Sequence, residues 1–150
     1  MTADILEDAP RLVLHVEDDG DHAELVRTCL ERHNPESRVH RVEDGAAAID
    51  YLTRTAGGSA ERPYLILLDL RLPKVDGLEV LRAVRASRDL SSIPVVVLTT
   101  SDSDSDVSSA YENHANGYLV KPDDFSALDT MMKDLGDYWL DWNVQPHGRH

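Results

Sequence analysis

The chain has 150 residues, a single cysteine, and 28 acidic against 15 basic residues, for a net charge of −13. That length suits one domain with a real hydrophobic core. The charge, with no basic stripe and no interleaved aromatics to offset it, excludes nucleic acid as an expected partner.

The lone Cys29 rules out an internal disulfide framework, and Met1-Thr2-Ala3-Asp4 lacks the basic start of a signal peptide. No apolar stretch reaches transmembrane length, so no membrane contact and a cytoplasmic location are expected. Residues 12–16 form an apolar run that reads as a first strand and ends in Glu17-Asp18. Asp19-Gly20-Asp21 then supplies N-cap chemistry for a helix to about Arg32, with Ala23, Val26 and Leu30 on one side. Cys29 lies within it and reads as a buried helix residue. Residues 38–42 alternate as a short strand, and Asp44-Gly45 opens an alanine-rich helix from Ala46 to about Thr55.

A Gly57-Gly58-Ser59 loop leads to residues 64–68, an apolar strand bounded by Pro63 and ended by Asp69. An uninterrupted apolar run of this kind suits a strand covered on both faces. After a turn containing Pro73, Asp76 and Gly77, a helix carries Leu78, Leu81 and Val84 at helical spacing. Residues 93–98 form a β-branched fourth strand ending in Thr99-Thr100. The run 101–106 reads as a solvated loop and helix start, with a helix near 106–114. Residues 117–120 form a last strand ending in Lys121-Pro122, and a final helix is expected from about Asp124 to Leu140.

Five βα units predict an α/β domain with a parallel, doubly wound sheet and helices on both faces. In such a sheet the C-terminal strand ends share one edge, where chemistry collects. Glu17, Asp18, Asp69, Thr99 and Lys121 all fall there. Two carboxylates about 4 Å apart repel by roughly 4 kcal/mol at an effective dielectric of 20. A cluster of them must take up protons, swing apart or share a cation. Oxygen-only donors favour hard Mg²⁺ or Ca²⁺, and Mg²⁺ commonly also holds phosphate oxygens. The expectation is a phosphoryl-handling site. His15, inside the first strand, reads as a packed core residue rather than a phosphorylation site.

The acid pair after the first strand, Asp69 with its Leu72-Pro73…Asp76-Gly77 turn, Thr99, Tyr118 and Lys121-Pro122 together resemble the receiver domains of two-component response regulators. The resemblance covers roughly residues 11–140. It implies a flavodoxin-like, CheY-like five-stranded sheet of order 2-1-3-4-5 and a signalling protein rather than an enzyme. Asp69 would be the phosphoacceptor, taking its phosphoryl group from a sensor histidine kinase. Mg²⁺ would be held by Asp69, Asp18, Glu17 acting through water, and the backbone carbonyl of Arg71. Thr99 and Lys121 would engage phosphoryl oxygens. A shift of Thr99 would be coupled to Tyr118, and the face of the fourth helix, last strand and last helix would read it out.

The ending Tyr138-Trp139-Leu140-Asp141-Trp142 is similar to that of stand-alone receivers associated with phytochrome-type and other PAS-containing sensor kinases. Tyr138, Trp139 and Trp142 either anchor a homodimer or pack back on the domain. The expected organisation is a flexible segment 1–10, the receiver 11–140 and an extension 141–150 without an output domain. A phosphate sink and a non-phosphorylated adaptor of the same fold are the alternatives. Two further rivals are a haloacid-dehalogenase-type phosphatase, which carries a second acid where this chain has Arg71, and a flavodoxin-type electron carrier.

Overall fold

The computed structural model describes residues 10–146. Its five strands are β1 (Arg11–Val16), β2 (Ser37–Val42), β3 (Leu65–Leu68), β4 (Val95–Thr99) and β5 (Gly117–Val120). All neighbouring pairs are parallel, in the order β2-β1-β3-β4-β5. The crossovers carry α1 (Gly20–His33), α2 (Gly45–Ala56), α3 (Gly77–Ala86) and α4 (Asp104–Glu112), and α5 (Phe125–Gly136) follows β5. This is the expected flavodoxin-like sheet.

The two-residue period of the strands divides the core into two layers. Leu12, Leu14, Val16, Ile66, Leu68, Val95 and Val97 meet Ala48 and Leu52 of α2 and Val80, Leu81 and Val84 of α3. On the opposite face, Val13, Leu65, Leu67, Val96 and Leu98 meet Val26, Cys29 and Leu30 of α1 and Leu128, Met132 and Leu135 of α5. All four residues of β3 are buried because both layers cover it. Each fully buried side chain of this size contributes about 1.5–3 kcal/mol.

Helix starts lie at the same sheet edge as strand ends, so caps collect there. Asp19, Asp44, Asp76, Ser103 and Asp124 each accept first-turn N–H groups. Four of the five are aspartates, and part of the acidic surplus is therefore capping chemistry, worth about 1 kcal/mol per helix.

Several boundaries differ from the sequence expectation. β4 begins at Val95 instead of Ile93, since Pro94 has no N–H to give and joins the sheet only as acceptor to Ile66 N (3.0 Å). α4 begins at Asp104, because Ser103 Oγ accepts Asp106 N at 3.1 Å and fixes the first turn. The buried stripe of α3 includes Val80, while Leu78 is only half-buried.

The last helix does not run as an α-helix to Leu140. It changes after Gly136 into a π-helical turn, Asp137–Trp142, closed by Asn143 N donating to Tyr138 O at 2.7 Å. Leu140 is fully buried within that turn. The turn crosses the expected 140/141 boundary. Residues 1–9 of the expected flexible segment and 147–150 of the extension lie outside the described residues.

Candidate functional site

Three residues stand one step beyond a strand, and backbone bonds that prolong the ladder hold each of them. Glu17 N donates to Val42 O (3.0 Å), Asp69 N to Val16 O (3.1 Å) and Lys121 N to Thr99 O (2.7 Å). Their side chains are thus projected from the C-terminal edge by the sheet itself rather than by loops. Beneath them, Gly77 is required: a Cβ there would lie 2.4 Å from Asp69 O and 2.7 Å from Leu70 Cα.

Lys121 Nζ lies 2.7 Å from Glu17 Oε1 and 3.2 Å from Asp69 Oδ2. Glu17 and Asp69 are both buried. The other oxygen of each carboxylate takes a backbone N–H: Asp19 N to Glu17 Oε2 and Arg71 N to Asp69 Oδ1, each at 3.1 Å. Burial raises the pKa of Glu17, and the adjacent Lys121 ammonium opposes that rise. Burial pulls Lys121 down, but Glu17 and Asp69 together outweigh it and hold the ammonium above its ordinary value.

Glu17, Asp18 and Asp69 each offer one oxygen, all within 4.8 Å of one another. Asp18 is the exposed member. The set contains oxygen donors alone, which suits a hard divalent cation and not a thiolate- or imidazole-seeking one. The expected metal residues Glu17, Asp18 and Asp69 are therefore brought together. Arg71 enters through its N–H to Asp69, while its guanidinium pairs with Asp106.

Thr99 ends β4 and is fully buried, its Oγ1 without a hydrogen-bond partner among the described residues. Tyr118 is half-buried against the first core layer, and its hydroxyl donates to Ser101 O at 2.8 Å. Ser101 Oγ in turn donates to Asp106. A hydrogen-bonded chain thus runs from Arg71 through Asp106 and Ser101 to Tyr118.

The aromatic ending is divided. Trp139 packs partly on the second core layer and meets Tyr138 edge-on at 4.9 Å. Trp142 is 78% exposed and Tyr138 53%. Trp139 and Trp142, three positions apart, therefore do not share one common exposed surface. Beside them an apolar cleft of about 780 Å³ opens between β5 and α5, lined in part by Leu119, Met131 and Leu135.

One feature escapes sequence reasoning. Arg41 Nε donates to Glu17 O (2.9 Å) and its terminal nitrogen to Asp18 O (3.0 Å), fixing the acidic loop. Only the parallel register, which sets Arg41 beside His15, could have located it. His15 is fully buried, with Nε2 3.9 Å from Glu17 Oε1. Burial lowers its pKa to about 3, aided by the charges of His22, Lys121 and Arg41.

The fold and this acid–lysine edge are those of a phosphoacceptor signalling domain. The model of the response regulator receiver domain matches residues 13–133. This chain belongs to that family, whose members are signalling proteins rather than enzymes.

Among its relatives is the probable methanogenesis regulatory protein FilR2 of Methanothrix harundinacea, 47% identical over 97% of this chain and 94% of that protein. The response regulator Rcp1 of Synechocystis is 40% identical over 91% of this chain and 94% of that one. Among solved structures, the phosphorylated cyanobacterial phytochrome response regulator RcpA superposes with a TM-score of 0.86 at 37% identity, covering 92% of this chain and 99% of its own. The Mn²⁺-bound form of Rcp1 gives a TM-score of 0.84 at 39% identity, covering 91% and 99%. No helix among the described residues is long and apolar enough to cross a membrane.

Proposed function

We propose that Asp69 is the residue that accepts the phosphoryl group, in a phosphorelay fed by a sensor histidine kinase. The observation that carries this reading is the position of Lys121 Nζ, 3.2 Å from Asp69 Oδ2 at the C-terminal edge of the sheet. An Asp69 carboxylate oxygen attacks phosphorus, the P–N bond of the donor phosphoimidazole breaks, and the imidazole leaves with that electron pair. Lys121 then pairs with one phosphoryl oxygen, and the Thr99 hydroxyl, which has no partner among the described residues, donates to another.

Asp18, Asp69, the backbone carbonyl of Arg71 and, through water, Glu17 would hold Mg²⁺. When bound, the ion neutralises part of the charge on the phosphoryl oxygens. A Mn²⁺-bound form of Rcp1 supports a divalent ion at such a site. The kinase is of the phytochrome or another PAS-containing type, a reading supported by relatives described as phytochrome and bacteriophytochrome response regulators. The exchange takes place in the cytoplasm.

The response travels through Thr99 and Tyr118 to the surface of α4, β5 and α5, by a change between two packings. The receiver occupies residues 11–140, followed by an extension, and signalling is by protein–protein contact. Exposed Tyr138 and Trp142, with Trp139 beside the cleft, form a homodimer contact.

Intact-mass measurement after incubation with a small phosphodonor tests the reading. One added phosphoryl group is expected with Mg²⁺, and none with chelator or in Asp69→Asn. A wild-type chain that neither gains the group nor binds beryllofluoride would leave a non-phosphorylated adaptor.

A further inference from the structure

The phosphoacceptor edge is one end of the sheet. At the opposite, N-terminal edge, ahead of β4 and β5, lies a cleft of about 470 Å³, a volume suited to a small molecule. None of its lining residues is acidic, although the chain carries 28 acids. The cleft between β5 and α5, by contrast, carries Asp124 and Asp134.

Arg85 of α3 is the one permanent cation in this acid-free lining. It is half-buried, and neutral acceptors hold its guanidinium. Nε donates to His114 O (2.9 Å), Nη1 to Ser91 O (3.0 Å) and Ile93 O (2.8 Å), and Nη2 to Asn116 Oδ1 (2.6 Å). No carboxylate among the described residues pairs with it, and burial pushes its pKa down unopposed. A partly buried charge without an answering one is unfavourable.

The hydrogen bonding of the cleft is one-sided as well. Asn116 Oδ1 also accepts Val95 N (2.8 Å), and Gln145 Nε2 donates to Tyr64 O (2.6 Å). The wall's carbonyl oxygens are thus engaged by the protein itself. Several donors are not. A guanidinium has five N–H groups, so one on Arg85 Nη2 is left over. The Asn116 Nδ2 amide beside it has no partner among the described residues, and neither has the Asn143 side chain. Ile93, Pro94 and Trp139 give the same cleft an apolar wall.

We infer that this cleft binds a small monocarboxylate with an apolar or aromatic body, its carboxylate seated between Arg85 Nη2 and Asn116 Nδ2. The body lies against Trp139, Ile93 and Pro94. A single negative charge fits because the lining holds a single permanent positive one. A phosphate dianion would leave one charge unanswered in a chain of net charge −13. Binding here needs no phosphoryl group on Asp69.

Benzoate is the probe, titrated into the ¹⁵N-labelled full chain and followed by ¹H–¹⁵N correlation. The Arg85 Nε–H and the side-chain amides of Asn116 and Asn143 are expected to shift, with a Kd of roughly 1–10 mM, the range so small a ligand supports. Benzamide, its neutral isostere, should bind about tenfold more weakly, the factor one hydrogen bond to a charged group supplies. Asn116→Asp keeps an oxygen for Val95 N and Arg85 Nη2 and brings a fixed carboxylate to the guanidinium. Its melting temperature should not fall, and benzoate binding should be lost.

Unmoved signals in the wild-type chain overturn the inference, and so does equal binding of benzamide, which needs no variant to measure. Benzoate binding retained in a folded Asn116→Asp does the same. Tighter binding of phenyl phosphate than of benzoate overturns the choice of a monoanion.

Discussion

Replacing Lys121 by Met removes the only cation seen to bridge Glu17 and Asp69 among the described residues, while keeping most of the side chain's bulk. At 2.7 and 3.2 Å the two attractions are about 6 and about 5 kcal/mol at an effective dielectric of 20. Much of that sum offsets the desolvation of an ammonium whose side chain is only 10% exposed. What remains on deletion of one partner of a buried pair is typically about 3–5 kcal/mol, because the carboxylates stay behind unanswered. With a urea m-value of about 2 kcal/mol/M, the midpoint should fall by roughly 1.5–2.5 M in chelator. Mg²⁺ should then restore more stability to Lys121→Met than to wild type, since the uncompensated carboxylates bind a cation more tightly. Urea titrations at neutral pH, with chelator and with saturating Mg²⁺, measure both effects. An unchanged midpoint in chelator, or a larger Mg²⁺ gain in wild type, would refute the electrostatic reasoning.

Gly77→Ala should destabilise by about 1–3 kcal/mol through overpacking, because the new Cβ meets the Asp69 carbonyl at 2.4 Å. The helix-propensity gain of up to about 1 kcal/mol offsets only part of this, and thermal unfolding checks the sign. Burial raises the pKa of Asp129, but the Cys29 thiol, His33 and Arg32 outweigh it and hold the group below 3.8. A depressed carboxylate stabilises above its unfolded value and loses that contribution as pH falls through the folded one. The melting-temperature difference between wild type and Asp129→Asn should therefore be full at pH 6 and shrink below about pH 4. A constant difference would deny the ionic contribution. Tyr118→Phe gives up the bond to Ser101 O at 2.8 Å, and chemical unfolding should register a loss of about 0.5–1.5 kcal/mol.

Much of the fold is legible in residues 12–16, 64–69 and 93–98, because a strand buried on both faces must be apolar throughout. Asp69 is legible for the complementary reason: a carboxylate directly after such a run has no place in either core layer and must stand at the edge. The caps Asp19 and Asp44 could be read as well, since short polar side chains before a helix have one common use. Other features depend on long-range contacts. The π-helical turn places Leu140 in the core through an i to i+5 bond that no local pattern announces. Arg41 reaches the site because β1 and β2 pair in one particular register, which the alternation in β2 alone does not fix. The shared grip of Lys121 on Glu17 and Asp69 is likewise a consequence of strand order, joining residues 52 and more positions apart.

The most direct test of the central claim is to locate the phosphoryl group by residue. After incubation with a phosphodonor and Mg²⁺, borohydride reduces an aspartyl phosphate to homoserine, and peptide mass mapping then identifies the altered position. Conversion of Asp69 to homoserine, and of no other aspartate, is the predicted result. Conversion at Asp18 or another acid with Asp69 intact, or a phosphoryl group that maps to a histidine, would contradict it.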